Sequence, residues 1–278
     1  MSRGAAMISM TWFRNGEETA METTRSADGT AIAYDRSGDG PPLILVVGAF
    51  CDRSAPATLA AVLAQRFTVY AYDRRGRGDS GAGGDGYSPD REVDDLAALL
   101  TVAGGSALVF GHSSGAVLAL EAAARGLPIS KLAAYEPPYI MDGDRSRPVD
   151  LAGRVGELIS SDRRGAAAKL FLAEGPQMPP EAVAMMESDP SWAHLTAIAH
   201  TLPYDLALCG DQRIPDRVAK IAVPTLLLAG AESPAWARNS VAALAAEIPD
   251  ARVRLLDGQN HAAADDVLAP VLMEFFAS

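Results

Sequence analysis

A serine flanked by glycines provides the strongest chemical signal in this sequence. The pentapeptide GHSSG at 111–115 follows the apolar run Ala107–Phe110 directly and precedes a run of small, helix-forming residues. A strand-to-helix turn this tight forces the serine into a strained backbone conformation, and larger residues at the glycine positions would collide with the turn. It also presents the hydroxyl at the carboxyl edge of a sheet and at the positive end of a helix. We therefore predict that Ser113 is a nucleophile.

An activated serine needs a base that accepts its proton and a carboxylate that orients the base. The sequence contains four histidines. Only His261 follows the last predicted strand, which places it at a carboxyl strand edge on the same side as Ser113. His112 lies beside the serine but points elsewhere, and His194 and His200 belong to a helical middle segment. The sequence therefore predicts His261 as the general base.

The elements that must position these side chains alternate between short β-rich runs and Ala/Leu-rich helical runs. The predicted strands are Thr30–Asp35, Leu43–Val47, Phe67–Asp73, Ala107–Phe110, Lys131–Glu136, Val223–Gly230 and Ala251–Leu256. The predicted helices of the same region are Ser54–Gln65, Ser88–Ala103, the run after Ser113, Ala235–Glu247 and Ala264–Phe276. Unbroken apolar runs are typical of strands buried on both faces of a parallel sheet. The pattern predicts an α/β fold with a doubly wound, mostly parallel sheet and right-handed crossovers.

This alternation stops at Pro137-Pro138. The residues that follow contain helical segments and no convincing strand before Val223–Gly230. These segments are Val149–Ser161, Arg164–Ala173, Pro180–Glu187 and Trp192–Thr201. We interpret them as a helical cap inserted into the sheet domain. The predicted division is a loosely ordered extension over 1–20, the first part of the core over 21–138, the cap over 139–219, and the second part of the core over 220–278.

A second motif follows the strand Phe67–Asp73. The octapeptide DRRGRGDS at 73–80 matches the pattern D-x-R-G-x-G-x-S at all five fixed positions. Together with the Ser113 turn and the late His261, it makes the chain resemble the α/β-hydrolase superfamily over essentially residues 22–277. The resemblance implies the α/β-hydrolase fold with an inserted helical cap. It also implies a structural role for this loop, which Asp73 and Arg75 would brace.

Two departures from the family pattern affect the catalytic machinery, and the first concerns the oxyanion hole. Family members usually carry His-Gly before the oxyanion residue, whereas this chain has Val47-Gly48. The donors of an oxyanion hole are backbone N–H groups, so the loss of that side chain need not abolish it. By position, the resemblance assigns the donors to the backbone amides of Ala49 and Ser114. The nearby Cys51 is interpreted as a small apolar residue and not as a second nucleophile.

The second departure concerns the acid of the triad. The family's usual aspartate, in a G-x-x-D pattern after the cap, is replaced here by Ser233, which cannot stabilise an imidazolium as a carboxylate does. Glu232 is adjacent, but a side chain one residue away at a strand end points in a different direction. Glu136 ends the strand after the nucleophile helix, a location that resembles some haloalkane dehalogenases with a glutamate as triad acid. We favour Glu136 and keep Glu232 as the alternative.

The serine also separates this chain from relatives that attack with aspartate, because a serine forms an acyl-enzyme. We therefore predict a serine hydrolase that cleaves an ester or lactone of a small to medium, partly apolar organic molecule, without a metal or an organic cofactor. The cap is expected to supply the substrate pocket. Candidate pocket residues are Phe50, His112, Tyr139, Trp192 and His200. Packing of the cap on the sheet domain is the alternative role for these residues.

Two other functions remain open. The missing G-x-x-D aspartate and the valine at position 47 are also compatible with other chemistry on the same fold. Perhydrolysis, C–C bond cleavage or another biosynthetic or catabolic step would fit. A catalytically silent small-ligand binding protein is the third possibility, although a pure binder would have no need of a strained serine turn.

Charge and cysteine content bound the partners and the compartment. A formal net charge of −11 disfavours nucleic acid and anionic membranes as partners, which leaves a small-molecule substrate. Cys51 and Cys209 are too few for a disulfide scaffold and suit a reducing compartment. No apolar run reaches the roughly 18–20 residues of a membrane span, and the first residues lack the features of a signal peptide. We therefore expect a cytoplasmic protein.

Overall fold

The computed structural model describes residues 21–84, 86–144 and 147–278. The extension predicted over residues 1–20 lies outside the described residues. The described residues form eight strands, β1 (Glu22–Arg25), β2 (Ala31–Ser37), β3 (Pro42–Val46), β4 (Thr68–Tyr72), β5 (Ala107–His112), β6 (Ile129–Tyr135), β7 (Thr225–Gly230) and β8 (Ala251–Leu256). They also form ten α-helices, α1 (Ala57–Leu63), α2 (Pro89–Val102), α3 (Ser114–Ala124), α4 (Leu151–Ser160), α5 (Arg164–Glu174), α6 (Pro180–Ser188), α7 (Trp192–Ile198), α8 (Leu202–Cys209), α9 (Ala235–Glu247) and α10 (Asp265–Ala277).

The strands build one sheet in the order β1-β2-β4-β3-β5-β6-β7-β8. The two pairs at one end, β1 with β2 and β2 with β4, are antiparallel. Every other pair is parallel, which confirms the predicted mostly parallel α/β sheet. The strand β1 is not predicted from the sequence, because its residues ETTR include no apolar side chain and the strand depends on pairing with β2.

Alternation of side chains explains why the central strands are apolar throughout. Leu43 and Leu45 of β3 face one layer, and Ile44 and Val46 face the opposite layer, as the two-residue period of a strand requires. The first layer is completed by α1 and α10, and the second by α2, α3 and α9. Each central strand is therefore covered on both faces.

Between β6 and β7, the described residues form the helices α4 to α8 and no strand. We use the name cap for this segment, with the bounds 139–219 of the prediction. The predicted helix Trp192–Thr201 ends its α-helical part at Ile198 and continues as a 3₁₀ turn over Ala199–Thr201. The following helix α8 is not predicted from the sequence. Pro203 lies in its first turn, a position where proline starts a new helix.

The parallel strands direct their carboxyl ends to one edge of the sheet. The segments that follow β3, β4, β5, β6, β7 and β8 therefore meet at that edge, where ligands bind in sheets of this type. Among the described residues, no helix is long and apolar enough to span a membrane.

Candidate active site

Ser113 lies in a strained turn between β5 and α3. Its φ of 56° and ψ of −124° fall outside the conformations that most residues adopt. The backbone N–H of Ser113 donates to the carbonyl oxygen of Tyr135 at 2.9 Å, which ties the turn to the end of β6. The turn admits only glycine at position 111, because a Cβ there would lie 2.6 Å from Cα of Ala116. The side chain is therefore held at the carboxyl edge of the sheet.

His261 lies in the loop after β8, and two contacts hold this loop over β5 and β6. The Tyr135 hydroxyl donates to the carbonyl oxygen of Asn260 at 2.5 Å. His112 Nε2 lies 2.9 Å from the carbonyl oxygen of His261, and the two histidine rings are 4.8 Å apart. The His261 side chain is 44% exposed, so it can be reached from solvent and is anchored through its backbone.

Glu136 contacts the ring of His261 directly. Glu136 Oε2 lies 2.6 Å from His261 Nδ1, and the Glu136 side chain is fully buried. Glu136 has a φ of 47°, a conformation that is uncommon outside glycine and is often found at functional sites. Glu232, the alternative acid, is exposed. Of the two predicted acids, the structure therefore brings Glu136 to His261.

The serine at the usual aspartate position takes part in the same arrangement. The Ser233 hydroxyl donates to Glu136 Oε1 at 2.5 Å, and the backbone N–H of Gly230 donates to the same oxygen at 2.8 Å. Burial raises the pKa of Glu136, but the hydrogen bonds from His261, Ser233 and Gly230 outweigh this and hold the pKa below its usual value. The carboxylate is thus ionised and can stabilise a positively charged imidazole.

The segment after β3 contacts the turn that carries Ser113. A Cβ at position 48 would lie 2.9 Å from Cβ of Ser113, so glycine is required for this approach. Phe50 follows with a φ of 60°. Ser114 begins α3, and the N–H groups of a first helical turn have no intrahelical partner. The amides of Ala49 and Ser114 therefore belong to two segments that flank Ser113, as an oxyanion hole requires.

Cys51 lies next to these segments. Burial raises the pKa of its thiol to about 11, so the thiol is protonated near neutral pH and is a poor nucleophile. This agrees with its interpretation as a small apolar residue.

The predicted pocket residues occupy different environments. Phe50 packs edge-on against Phe171 at 5.5 Å, in an apolar cluster that Trp192 also joins. Tyr139 is buried in the core layer of α2, α3 and α9. His200 lies with Nε2 at 2.8 Å from the carbonyl oxygen of Gly76. His112, as described above, supports the loop of His261. We therefore keep only Phe50 and Trp192 in the proposed pocket.

The loop over residues 73–80 is braced by contacts within the loop and with neighbouring segments. Asp73 accepts hydrogen bonds from the backbone N–H groups of Arg53 at 2.7 Å and Asp79 at 2.8 Å. Arg75 forms a bidentate pair with Asp95 at 2.8 and 2.6 Å. These contacts fix the conformation of the loop and join it to Arg53 and to α2.

Two residues near His261 are not identified from the sequence. The sequence marks Ser233 only as the residue that replaces the usual aspartate, and the signal for its role is that a hydroxyl at this position can donate a hydrogen bond to a carboxylate at the end of the neighbouring strand. The ring of Trp236 on α9 lies 6.2 Å from the ring of His261, and no local pattern marks it. Within the described residues, no group of three or more His, Cys, Asp or Glu side chains could hold a metal ion.

Comparison with known proteins agrees with this architecture. Residues 43–271 match the sequence model described as the alpha/beta hydrolase family. The chain is 51% identical to an alpha/beta hydrolase from Sphaerobacter thermophilus of known crystal structure, with a TM-score of 0.89. That alignment covers 92% of this chain and 100% of the other.

Two curated relatives align over different lengths. A putative carbamate hydrolase from Azorhizobium caulinodans is 30% identical over 253 residues, which cover 88% of this chain and 94% of the relative. N-formylmaleamate deformylase from Pseudomonas putida is 37% identical over 130 residues, or 45% of this chain and 48% of the relative. The chain spans less than half the length of the first curated relatives that it matches.

Proposed function

Because the chain belongs to the alpha/beta hydrolase family, we propose that it is a serine hydrolase that cleaves an ester or lactone of a small to medium, partly apolar molecule. The observation that carries the proposal is the 2.6 Å contact between the buried Glu136 carboxylate and His261 Nδ1. A carboxylate only accepts hydrogen bonds, so Nδ1 carries the proton and Nε2 has a free lone pair. That tautomer is the one that can accept a proton from Ser113.

The proposed reaction is an acyl transfer in two stages. His261 Nε2 accepts the Ser113 proton as the hydroxyl oxygen attacks the substrate carbonyl, and the Ala49 and Ser114 amides stabilise the resulting oxyanion. His261 then donates the proton to the departing alcohol, which leaves an acyl-enzyme on Ser113. Water attacks the acyl-enzyme with His261 again as base, and His261 then returns that proton to the Ser113 oxygen as the bond to the acyl group breaks and the acid product leaves. Glu136 orients the imidazole and stabilises its positive charge throughout.

The apolar cluster around Phe50 and Trp192 supports a partly apolar acyl or alcohol group in the substrate. Cleavage of an amide or carbamate is a second candidate, favoured by the names of the deformylase and the putative carbamate hydrolase. The same machinery would serve it, with a nitrogen leaving group protonated by His261. The net charge of −11 and the two free cysteines support a small-molecule substrate and a reducing, cytoplasmic setting.

Replacement of the nucleophile tests the proposal. The wild-type protein is expected to hydrolyse p-nitrophenyl butyrate with a burst of p-nitrophenol and to be labelled at Ser113 by a fluorophosphonate. Ser113→Ala should show neither turnover nor labelling. Ser130→Ala, at an exposed serine of β6, should show both. Labelling that persists in Ser113→Ala would contradict the assignment, and a silent binder would give neither burst nor turnover. The rates of matched p-nitrophenyl esters and p-nitroanilides would separate ester from amide cleavage.

A further inference from the structure

Three buried charged side chains outside the proposed triad meet beneath the cap. Arg74 and Arg77 occupy the two positions that the D-x-R-G-x-G-x-S pattern leaves free before Gly78. Both donate to Asp205 on α8, Arg74 Nη1 at 2.8 Å and Arg77 Nη2 at 2.9 and 2.8 Å from the two carboxylate oxygens. All three side chains are at most 2% exposed. One carboxylate of the cap thus binds two arginines of the core.

The second terminal nitrogen of the Arg77 guanidinium binds the segment that carries the first proposed oxyanion donor. Arg77 Nη1 donates to the carbonyl oxygens of Gly48 at 2.6 Å and Cys51 at 3.1 Å. These carbonyls flank Ala49 and the left-handed Phe50. A strained residue of this kind persists only where its surroundings hold it in place. Arg77 therefore fixes both ends of the strained segment.

Asp205 also contacts the residue that carries the second proposed donor. The Ser114 hydroxyl donates to Asp205 Oδ1 at 2.7 Å and accepts from Arg74 Nη1 at 3.1 Å. Because Ser114 is the first residue of α3, these contacts orient the helical turn whose free amides lie beside the nucleophile. Asp205 is thus connected to one donor segment directly and to the other through Arg77.

The charges in this cluster are matched. Glu92 accepts two hydrogen bonds from Arg74 at 2.6 and 2.7 Å, and Asp205 forms the ion pair of Arg77. Burial raises the pKa of Asp205, but Arg77 and Arg74 lower it below its usual value, so the carboxylate is ionised. Neutralising Asp205 would remove an ion pair from a buried guanidinium, which is strongly unfavourable unless that side chain moves. A displaced Arg77 would release the Gly48–Cys51 segment.

We infer that Asp205 is a positioning residue for the proposed reaction. It connects the cap to the segments of both proposed oxyanion donors, to one through Ser114 and to the other through Arg77. The position of the cap on the core therefore sets the geometry of both donors. The inference rests on the proposed function. Asp205 acts on the reacting atoms only through the segments of Ala49 and Ser114. Its loss should therefore weaken binding of the transition state more than binding of the substrate.

Asp205→Asn tests this inference, with Asp95→Asn as a matched control. Asp95 is an equally buried carboxylate that pairs with Arg75 of the same loop, but its ion pair holds neither donor segment. The measurements are KM for p-nitrophenyl butyrate and kcat per active site, with the number of active sites titrated by a fluorophosphonate. The inhibition constant of an alkyl trifluoromethyl ketone, which forms an oxyanion adduct with serine, is compared with that of the matching methyl ketone.

Asp205→Asn is expected to lower kcat about 10- to 100-fold with KM within about threefold of wild type. Affinity for the trifluoromethyl ketone should fall in parallel, and affinity for the methyl ketone should not. Asp95→Asn should keep kcat per titrated site within about twofold. A purely structural role of Asp205 would lower the number of active sites and leave the kcat per site and the ketone affinity unchanged.

Ser114→Ala decides the question if Asp205→Asn does not fold. It removes the hydroxyl contacts, keeps the ion pairs and the backbone amide, and should lower kcat and trifluoromethyl ketone affinity about 3- to 10-fold. Unchanged values in the folded Asp205→Asn variant, or in Ser114→Ala in its place, would overturn the inference. Equal losses in Asp95→Asn would also overturn it. Wild-type protein that is not labelled at Ser113 would instead overturn the proposed function, so the two failures are distinguishable.

Discussion

Replacement of Glu136 by glutamine tests the proposed triad where its geometry is most completely defined. The buried carboxylate accepts hydrogen bonds at Oε1 from Gly230 N at 2.8 Å and Ser233 Oγ at 2.5 Å, and at Oε2 from His261 Nδ1 at 2.6 Å. Glutamine has nearly the same shape, but one of its two terminal groups is an NH₂ donor. The backbone N–H of Gly230 can only donate, so the amide oxygen must take the Oε1 position. The NH₂ group then faces His261.

This arrangement selects the wrong tautomer of the imidazole. An NH₂ group facing Nδ1 requires Nδ1 of His261 to accept, which places the ring proton on Nε2 and leaves no lone pair for the proton of Ser113. The charge that stabilises the imidazolium is also lost. We expect kcat to fall about 10⁴-fold, equivalent to about 5 kcal/mol of transition-state stabilisation, with KM little changed. Turnover of p-nitrophenyl butyrate near neutral pH measures this effect, and circular dichroism verifies folding.

Glu232→Gln is the matched control, because Glu232 is the other glutamate at this edge of the sheet and is exposed. Its kcat should stay within about twofold of wild type. A folded Glu136→Gln variant that keeps more than about one tenth of the wild-type kcat would refute the reasoning. A large loss in Glu232→Gln alone would transfer the role of the acid to Glu232.

Three further predictions concern the surroundings of the site. Gly48→Ala should lower kcat about 10- to 100-fold, because the new Cβ would lie 2.9 Å from Cβ of Ser113. Steady-state kinetics would measure this loss, and a kcat equal to that of wild type would exclude the close approach. Arg75→Gln should lower the free energy of unfolding by about 3–5 kcal/mol in urea titrations, because it leaves the buried Asp95 without its bidentate partner. Burial lowers the pKa of His112 from 6.5 to about 4, so between these pH values the unfolded chain binds a proton that the folded chain does not, and stability should rise with pH. Urea titrations of His112→Gln should show a flatter pH dependence in that window, and an unchanged slope would contradict the prediction.

The alternation of strands and helices could be predicted because each element corresponds to a local run of β-forming or helix-forming residues. The helix Ala235–Glu247 and the strand Ala251–Leu256 have the predicted bounds. The elements that were missed depend on their neighbours: β1 is formed by pairing with β2, and α8 is separated from the preceding helix by a 3₁₀ turn. Asp205 is the only charged residue of α8. An isolated acid in an apolar helix indicates a buried ion pair, but not its partner.

The sequence by itself determined the fold class and the candidate nucleophile and base, because Ser113 and His261 each stand in a recognisable local context after a predicted strand. It left two glutamates open as the acid. Only the tertiary structure decided which of them contacts His261. The strands β6 and β7 are neighbours, and at their ends the Glu136 side chain is buried whereas Glu232 is exposed to solvent. The contact of Arg77 with Asp205 joins residues 128 positions apart. Such contacts depend on the order of the strands in the sheet and on the position of the cap over the sheet. The spacing of residues along the chain does not specify either of these.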